Sequence, residues 1–478
     1  MKRSKSLRTL GIALACAAFA FSLAVCAQAQ TITYLAPQNV LAARSPSLFV
    51  QATDGNFYSS GDSVDRPNGY IYRMTPAGAI TILYRFCSHT HCSDGDQPLS
   101  PVLGSDGNLY GVTAAGGNST ASGTVYKLTL GGELTTLYSF CPSSGCADGQ
   151  QPLGIIQASD GNLYGTTQFG GVNADGRAGT IFSISPGGKF KLLYTFCSQA
   201  NCADGWQPSS PPIQGSDGNF YGVAQFGGTG TGALGVAYKL TPAGVYSVLY
   251  NFCSRTGCTD GAQPVSISQG PQGGLFGITS VGGGGFKSCG TAFGIGPKNR
   301  YSVLHRFSDA DGCSPYDALT LANDGNFYDV SGTYSGGGFI FQITPEGAFT
   351  SLYDFSCCHG GYDPAGMLLQ GTDGGLYGAT LYNSNDCCSG SIFRFSNNLS
   401  PLVETVPVAG KVGQSVIILG NGLTGSTSVT FNGVQAAFTV ESDTYIKATV
   451  PAGATTGTVS VFTPAGTLNS NPQFVVMK

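Results

Sequence analysis

The sequence of 478 residues is poor in charged side chains and in the residues that catalysis most often uses. It holds 22 Lys and Arg, 26 Asp and Glu, one tryptophan and four histidines, which are His89, His91, His305 and His359. No histidine stands beside a Gly-x-Ser-x-Gly elbow, and the Gly-Gly runs follow strands that lead to strands rather than to helices. We therefore predict no catalytic residue, no bound metal and no cofactor, and we favour a non-enzymatic protein over an enzyme.

Positive charge is also scarce, which argues against nucleic acid as a partner. The formal net charge is −4, and removal of the basic N-terminus described below makes it more negative. An acidic chain does not follow a phosphate backbone, so we predict no nucleic-acid binding. Few charges combined with 72 glycines are typical of turn-rich, all-β proteins.

Long apolar runs are missing apart from one at the N-terminus. Basic residues precede an apolar stretch over residues 10–25, and a small-residue cleavage site ends at Ala29. This pattern predicts a secretory signal peptide over residues 1–29, and the rest of the chain offers no transmembrane segment. A lipoprotein signal at Cys26 is the alternative, which the bulky Val25 disfavours. We expect a secreted, cell-surface or periplasmic protein.

What the sequence has in abundance is one repeated phrase. Ser-Asp-Gly-Asn-Leu-Tyr-Gly, first complete at residues 105–111, returns until seven copies stand at intervals of about 50–57 residues. The copies are marked by Asp54, Asp106, Asp160, Asp217, Gln272, Asp324 and Asp373. A period of this length indicates a repeat architecture in which each unit packs on its neighbours.

Each repeat predicts four antiparallel strands. In residues 152–196, four apolar or alternating runs are separated by Asp160-Gly161, by a glycine-rich loop and by a Pro-Gly-Gly turn. Asp-Gly between apolar runs predicts a hairpin, with both central residues of a type I′ turn at positive φ. Four strands repeated seven times predict a seven-bladed β-propeller over residues 30–396. The last repeat lacks its fourth strand, which we expect residues 31–35 to supply.

This topology places the connections on two faces. The tight first-to-second and third-to-fourth turns share one face, and the long second-to-third and blade-to-blade loops share the other. Every cysteine after residue 29 lies in a long loop, and four pairs have the spacing Cys-x4-Cys. We expect disulfides, because zinc needs histidine beside the thiolates and only His89 and His91 approach a pair. The four pairs are Cys87 with Cys92, Cys141 with Cys146, Cys197 with Cys202, and Cys253 with Cys258.

The other six cysteines after residue 29 occupy long loops of the same face, and their pairing stays open because sequence alone does not fix connectivity. A bridge between Cys289 and Cys313 would join the two classes of long loop. The remaining four form two vicinal pairs that can also bridge: Cys357 with Cys358, and Cys387 with Cys388.

Several positions of the repeat recur together. Asp-Gly-Asn-Leu-Tyr-Gly-x-Thr is followed by a Gly-Gly doublet, by Gly-Thr-x-Phe/Tyr-x-Leu/Ile and by Leu-Tyr-x-Phe, with full copies at residues 107–128 and 161–184. Over residues 31–396 this unit resembles the tandem GloVer repeat of exported bacterial proteins, although the last three repeats depart from it. The resemblance implies export, often with a variable C-terminal attachment module, and implies no established catalytic residue.

The character of the sequence changes after Asn397. Residues 397–478 contain no repeat phrase and no cysteine, but about seven short runs rich in Val, Thr and Gly with turn signals between them. Their order and spacing resemble the IPT/TIG domain. We therefore expect an immunoglobulin-like β-sandwich, a kind of domain that usually serves as a spacer or interaction module.

The most site-like feature is the loop motif Cys-x4-Cys-x-Asp-Gly-x-Gln-Pro. Three of its four aspartates, Asp148, Asp204 and Asp260, can bind a cation or flank a glycosidic bond. The alternative is a turn scaffold, which we favour because the motif recurs from blade to blade. Trp206 stands inside one copy. With Phe169 and Phe226 on adjacent loops it can form an aromatic platform for a sugar ring, the alternative being loop packing.

These observations lead to one favoured function and one competitor. We expect an exported, non-catalytic binding or scaffold protein whose ligand, a glycan or a protein at the cell surface, is held by the long-loop, disulfide-rich face. The competing class is a carbohydrate-active enzyme, a lyase or hydrolase, which would use an acidic cluster on that face.

Overall fold

The structure, a computed structural model, describes residues 30–35, 48–63, 66–117, 122–142, 145–173, 177–284, 289–315, 317–333, 337–355, 361–382 and 390–477. Within these ranges the chain forms β-strands and short 3-10 turns, with no α-helix. The predicted signal peptide over residues 1–29 lies outside the described residues, as do Cys357, Cys358, Cys387 and Cys388.

The repeats form antiparallel sheets of four or five strands, which we number in chain order. Sheet 1 contains β2 (Val50–Gln51), β3 (Phe57–Ser63), β4 (Arg66–Met74) and β5 (Ile80–Arg85). Sheet 2 contains β6 (Asp96–Pro98), β7 (Val102–Leu103), β8 (Leu109–Ala115), β9 (Thr124–Leu128) and β10 (Leu134–Ser139). Sheet 3 contains β11 (Gln150–Gln157), β12 (Leu163–Phe169), β13 (Thr180–Ile184) and β14 (Phe190–Thr195).

Sheet 4 contains β15 (Trp206–Pro208), β16 (Ile213–Gln214), β17 (Phe220–Phe226), β18 (Val236–Leu240) and β19 (Tyr246–Asn251). Sheet 5 contains β20 (Ala262–Gln269), β21 (Leu275–Val281), β22 (Thr291–Gly296) and β23 (Arg300–Arg306). Sheet 6 contains β24 (Cys313–Pro315), β25 (Thr320–Leu321), β26 (Phe327–Gly332), β27 (Gly338–Ile343) and β28 (Phe349–Asp354). Sheet 7 contains β29 (Tyr362–Gln370), β30 (Leu376–Tyr382), β31 (Ser391–Ser396) and β1 (Thr31–Tyr34).

The N-terminal strand completes the last sheet, as its sequence predicts. β1 runs antiparallel to β31, with Ile32 opposite Phe395 and Tyr34 opposite Phe393. The side chain of Ile32 packs against the buried cluster shared by sheets 6 and 7. The outer edge of β31 is therefore covered by a strand from the other end of the chain.

The repeated phrase forms the hairpin between the first and second strands of a sheet. In sheet 3, Ala158 N–H donates to Asn162 O and Gly161 N–H donates to Ala158 O, both at 2.9 Å. Gly161 has a φ of 82°, whereas Asp160 does not have a positive φ. The predicted type I′ turn is therefore wrong: the geometry is a type I turn followed by glycine in the left-handed region.

The aspartate of the phrase explains this choice of turn. One oxygen of Asp160 accepts the Asn162 N–H at 3.0 Å, and the other accepts the hydroxyl of Tyr164 at 2.8 Å. These bonds fold the side chain back over its own turn, which a right-handed Asp conformation allows.

Consecutive sheets pack face to face through buried apolar side chains. Tyr110 and Val112 of sheet 2, for example, belong to one cluster with Ile155 and Leu163 of sheet 3. The same kind of contact joins sheet 7 to sheet 1, where the rings of Phe57 and Tyr377 lie 4.2 Å apart between centroids. Each sheet thus has neighbours on both of its faces.

A glutamine links neighbouring sheets at the tight-turn ends, which we call the turn side. Gln157 of sheet 3 accepts the Ser105 N–H of sheet 2 at 2.7 Å and donates to Gly161 O of its own turn at 3.0 Å. Sheets 1, 4, 5 and 7 place a glutamine at the same position: Gln51, Gln214, Gln269 and Gln370. Sheets 2 and 6 carry Leu103 and Leu321 there instead.

The C-terminal residues form a β-sandwich. One sheet contains β32 (Glu404–Val406), β34 (Ser415–Leu419), β38 (Tyr445–Thr449) and β37 (Phe438–Ser442). The other contains β36 (Val434–Gln435), β35 (Ser428–Phe431), β39 (Val459–Thr463) and β40 (Gly466–Asn469), and β33 (Ala409–Lys411) pairs in parallel with β41 (Val475–Met477). The core between the sheets includes Val416, Ile418, Val429, Phe431 and Val461.

One strand of the sandwich is buried on both faces. Val416 and Ile418 point into the sandwich core, whereas Ile417 and Leu419 point outward and are 3% and 1% exposed. They pack against sheets 1 and 2, in one cluster with Ala52, Leu103 and other side chains. A continuous apolar strand is the pattern expected where both faces of a strand are covered.

Polar contacts join the sandwich to the same turn side. The Thr444 hydroxyl donates to Thr53 O of sheet 1 at 2.8 Å, and Asn471 Nδ2 donates to Leu321 O of sheet 6 at 2.8 Å. Both positions that lack the linking glutamine therefore face the C-terminal domain: Leu103 shares a buried cluster with Ile417 and Leu419, and Leu321 O accepts the bond from Asn471. The domain lies on the turn side of the sheets.

We expect Ile417→Asn to loosen this contact while leaving the sandwich core intact, because Ile417 lies outside that core. The asparagine side chain must either be buried without hydrogen-bond partners or force the contact open. Either outcome should weaken docking of the C-terminal domain by about 2–4 kcal/mol. Hydrogen exchange should then become faster around Thr53. Lys447→Asn is the matched control, because Lys447 lies opposite Ile417 but is exposed. Equal exchange in the two variants would contradict the docking.

A pH dependence follows from Glu404, which lies opposite Leu419 in the strand pair that faces the turn side. Burial raises the pKa of Glu404 from 4.5 to about 7. Because the folded protein binds this proton more tightly, the contribution to stability is complete below about pH 4.5 and is lost as the pH rises through 7. Relative to Glu404→Gln, the wild type should lose about 1–3 kcal/mol over that range in urea unfolding. Parallel pH profiles for the two proteins would contradict this assignment.

Candidate functional site

The ends of the sheets opposite the turn side carry the long loops, and we call them the long-loop side. Between sheets 3 and 4 a disulfide joins Cys197 to Cys202. Asp204 follows it and is fully buried, with 0% exposure. Its carboxylate accepts the N–H and the hydroxyl of Ser198 at 2.9 and 2.8 Å and the hydroxyl of Tyr194 at 2.6 Å. The loop is therefore folded around this side chain.

Asp260 repeats this arrangement. It is 0% exposed and accepts the N–H and hydroxyl of Ser254 at 2.9 and 2.7 Å and the hydroxyl of Tyr250 at 2.7 Å. Asp148 is half-buried and accepts the Tyr138 hydroxyl at 2.8 Å and the Cys141 N–H at 3.1 Å. All three predicted aspartates are engaged by the loops that carry them.

The same bonds set the electrostatics of the motif. Burial opposes ionisation of Asp94, the equivalent residue after sheet 1, but hydrogen bonds from Ser88 and Tyr84 outweigh it and lower the pKa of Asp94. Burial and the bond to Asp204 raise the pKa of Tyr194. The motif thus holds a carboxylate and a neutral phenol in contact, which supports the scaffold alternative. Ligand binding by Asp148, Asp204 and Asp260 stays a prediction.

The tyrosine of this motif also joins one sheet to the next. The ring of Tyr194 stacks on Tyr246 with centroids 4.1 Å apart and planes 4° apart, and the Tyr246 hydroxyl donates to Asp204 O. Tyr250 stacks in the same way on Tyr301, at 3.7 Å. This role was not predicted from the sequence. The signal was present, because each such tyrosine precedes its aspartate by ten residues.

Sheets 5 and 6 are joined by a variant of the motif. His305 takes the place of the tyrosine: its Nε2 lies 2.7 Å from Asp311 Oδ2, and its ring stacks on Phe349 at 4.1 Å. Ser308 donates its hydroxyl to Asp311 at 2.8 Å. A disulfide between two loops replaces the local one.

The expected disulfides are present for every pair that the structure describes. The open possibility of a bridge between Cys289 and Cys313 is confirmed. Each local disulfide closes a loop that also carries the aspartate of the motif, so covalent and polar contacts act on the same segment. The four local bonds join Cys87 to Cys92, Cys141 to Cys146, Cys197 to Cys202, and Cys253 to Cys258.

The second cysteine of each local pair has a backbone conformation that the spacing did not predict. Its φ is positive, between 45° and 51°, in the left-handed region that residues other than glycine seldom adopt. Its carbonyl accepts the N–H of the glycine that follows the motif aspartate, at 2.8–3.0 Å. The loop therefore turns back at this residue and brings the aspartate inward. The four residues are Cys92, Cys146, Cys202 and Cys258.

The predicted aromatic residues are only partly brought together. Trp206 begins β15 opposite Phe226 at the end of β17, and their rings stack with centroids 4.8 Å apart. Both are partly exposed on the long-loop side. Phe169 ends the equivalent strand of sheet 3, opposite Gln150. Among the described residues it makes no ring contact with the other two.

Comparison with known families agrees with the repeats and the C-terminal domain. The family model described as the Gloeobacter/Verrucomicrobia repeat matches residues 17–211 and 207–435. The chain belongs to this family, and its residues 399–476 match the IPT/TIG domain. Both resemblances seen in the sequence are thus confirmed, although the repeat match reaches beyond residues 31–396 at each end.

Solved structures with some likeness are distant. A puromycin hydrolase has a TM-score of 0.47 and 13% identity, covering 82% of this chain and 62% of that chain. A periplasmic gluconolactonase of Pseudomonas aeruginosa has a TM-score of 0.45 and 14% identity, covering 65% and 85%. A protein from Lactobacillus plantarum has a TM-score of 0.44 and 16% identity, covering 71% and 99%. No curated protein matches the chain.

In the part of the chain that the structure describes, no helix is both long and apolar enough to span a bilayer.

We expect Asp204→Ala to destabilise the oxidised protein by about 2–4 kcal/mol, because it removes a fully buried acceptor that holds the Ser198 and Tyr194 donors of the loop. Asp160→Ala is the matched control: this aspartate also accepts a tyrosine hydroxyl and a backbone N–H but is exposed, so we expect a loss of about 1 kcal/mol. Urea unfolding measures both. A negligible effect of Asp204→Ala would show that the carboxylate is not a scaffold.

Proposed function

We propose that the protein is an exported, non-catalytic binding or scaffold protein that holds a glycan or a protein on its long-loop side. In this proposal residues 1–29 are the signal peptide, residues 30–396 are a closed seven-bladed β-propeller and residues 397–478 are the IPT/TIG domain. The disulfides support the exported location, because such bonds persist in oxidising compartments.

Sheet contacts support the closed propeller. Each pair of consecutive sheets shares a buried cluster, and Phe57 of sheet 1 meets Tyr377 of sheet 7. A glutamine link of the kind described above also joins these two sheets, because the Thr372 N–H donates to Gln51 Oε1 at 3.0 Å. β1 adds the outer strand of the seventh blade. Closure leaves no sheet face uncovered.

The position of the C-terminal domain is the main reason to place the ligand on the long-loop side. It contacts the turn side at Thr53 of sheet 1 and Leu321 of sheet 6, and its Ile417 and Leu419 pack on sheets 1 and 2. The end of the domain, at Met477, approaches the turn glycine Gly218 of sheet 4. A large ligand can therefore approach the repeats along the long-loop side, where described side chains such as Val172 are 76% exposed.

The aromatic pair is the best candidate for direct contact on that side. Trp206 and Phe226 present a stacked, partly exposed surface at the end of sheet 4. Aromatic rings offer large contact areas and lose little conformational entropy on binding, which is why tryptophan is enriched at binding hot spots. The site differs from its equivalents, because the same loop position is Asp96, Gln150 or Ala262 in other sheets.

The state of the acidic residues supports binding without catalysis. A glycosidase of the usual kind needs two carboxyl groups about 5–9.5 Å apart that reach the substrate. Asp204 and Asp260 are buried and occupied by hydrogen bonds of their own loops. These two residues are therefore not free to act as the acid pair of the enzymatic alternative.

We expect the oxidised protein to bind one or more polysaccharides on an array and Trp206→Gln to weaken that binding at least about tenfold. Glutamine is the residue that sheet 3 carries at this position, as Gln150, so the change should not disturb the loop. Gln150→Ala in sheet 3 is the control and should bind as the wild type does. Surface plasmon resonance gives both affinities.

Three results would count against the proposal in different ways. Equal binding by Trp206→Gln and wild type would exclude the aromatic pair. Cleavage of a bound polysaccharide would replace the binding function with the enzymatic alternative. Absence of polysaccharide binding would exclude a glycan and leave a protein ligand, which pull-down from cell-surface extracts with the same two variants would test.

A further inference from the structure

An Asn-Gly pair lies next to the contact between the C-terminal domain and the turn side. Asn421 and Gly422 follow β34, the strand whose Ile417 and Leu419 pack on sheets 1 and 2. In an Asn-Gly pair the backbone nitrogen of the glycine can attack the asparagine side chain and close a succinimide ring, because glycine has no Cβ to obstruct it. The reaction is faster where a base takes the N–H proton and donors stabilise the side-chain oxygen.

A carboxylate lies on the nitrogen that would attack. The Gly422 N–H donates to Asp443 Oδ2 at 3.3 Å, and the Thr424 N–H donates to Asp443 Oδ1 at 3.2 Å. Hydrogen bonds from Thr424 and Gly422 lower the pKa of Asp443, so its carboxylate is ionised at neutral pH. Asp443 is therefore placed to take the proton as the nitrogen attacks.

The side chain of Asn421 is held against sheet 7. With its Oδ1 toward that sheet, the amide accepts the Thr372 hydroxyl at 2.8 Å and the Asp373 N–H at 3.3 Å, and its Nδ2 donates to Gly420 O at 3.3 Å. The opposite orientation would set Nδ2 against the Asp373 N–H, one donor facing another, so we assign the first. Two donors on this oxygen stabilise the negative charge that develops there during attack.

We propose that Asn421 is a self-modification site, which converts to isoaspartate or aspartate through a succinimide. The Gly422 nitrogen attacks Cγ of Asn421, and its proton passes to Asp443. The bond between Cγ and Nδ2 then breaks, and Nδ2 leaves as ammonia with that proton. Water, to which Asn421 and Gly422 are both exposed, opens the ring at either carbonyl. The reaction exchanges ammonia for water and needs no oxidant or reductant.

The products alter the docking contact. Isoaspartate adds one carbon to the main chain just after β34, which carries Ile417 and Leu419. Either product replaces a neutral amide by a carboxylate beside Asp373 and loses the bond from Nδ2 to Gly420 O. The modification therefore loosens the C-terminal domain from the turn side with time. It is independent of the ligand proposed for the long-loop side.

A second Asn-Gly pair in the same domain provides an internal comparison. Asn432 precedes Gly433 and is also exposed. Its Nδ2 donates to Thr455 Oγ1 at 2.8 Å and to Thr456 O at 3.2 Å. A Cβ added at Gly457 would lie 2.4 Å from Cγ of Asn432, so backbone packs against the carbon that would be attacked. At Asn432 the leaving nitrogen is held, whereas at Asn421 the oxygen that gains charge is held.

The test incubates the full-length, oxidised protein at mildly alkaline pH and follows both asparagines by peptide mapping with mass spectrometry. Asn421 should deamidate at least about tenfold faster than Asn432. Asp443→Asn keeps an acceptor for the Gly422 N–H but removes the base, so it should slow the reaction at Asn421 at least about tenfold. Thr372→Val, which removes the hydroxyl donor, should slow it as well. Unfolding speeds deamidation, so a slower rate in either variant does not come from loss of the fold.

Gly422→Asn is the matched control. The φ of residue 422 is 67°, which asparagine tolerates, and a Cβ there meets no atom within 4 Å. The added side chain should hinder the nitrogen and prevent the reaction at Asn421. In the wild type, hydrogen exchange at Thr53, which accepts the Thr444 hydroxyl, should become faster as the modified fraction grows.

Two results would overturn the modification site: an Asn421 that deamidates no faster than Asn432, and equal rates in the wild type and Asp443→Asn. Fast deamidation of Asn421 with unchanged exchange at Thr53 would support the site and contradict its effect on docking.

Discussion

The structure depends on one constraint: a four-stranded sheet with two apolar faces must bury both. The second strand of sheet 2 is buried from Leu109 through Thr113, and its side chains enter clusters with sheet 1 on one face and sheet 3 on the other. In a series of such sheets, each face is covered by the neighbouring sheet except at the two ends of the series. There Phe57 of sheet 1 packs against Tyr377 of sheet 7. The tyrosine stacks, the glutamine links and the strand supplied by β1 all hold neighbouring sheets at the spacing that this burial needs.

Features that depend on short, repeated sequence patterns could be predicted from the sequence. The hairpin at Asp160, the strand that completes sheet 7 and the Cys-x4-Cys disulfides follow from turn chemistry, alternation and spacing. The turn type was wrong because the Asp160 side chain bonds its own turn, which a residue pattern does not reveal. The contact between Tyr194 and Asp204 was not predicted, although the ten-residue spacing recurs. The reason is that Tyr194 lies in a strand and Asp204 in the loop that follows it, and a strand pattern does not show which loop residue folds back onto it.

Docking of the C-terminal domain could be predicted only in part. The apolar run from Val416 to Leu419 is visible in the sequence, but its partner surface is assembled from Ala52, Leu103 and other residues far apart in the chain. Likewise, Asp329 is visible as a departure from the repeat, whereas its complete burial depends on the packed surroundings. The candidate site is therefore less predictable than the fold: Trp206 and Phe226 stack as expected, and Phe169 stands apart.

The proposed function depends on a difference between the two ends of the sheets. One end is occupied by the protein's own C-terminal domain, and the other carries loops held by buried aspartates and disulfides. Hydrogen exchange of the full-length protein with and without its ligand measures this directly. We predict protection confined to the long loops, around Cys202 and Trp206, with unchanged exchange at turns such as Gly107. Protection at the turns or on the C-terminal domain, with none in the long loops, would contradict it.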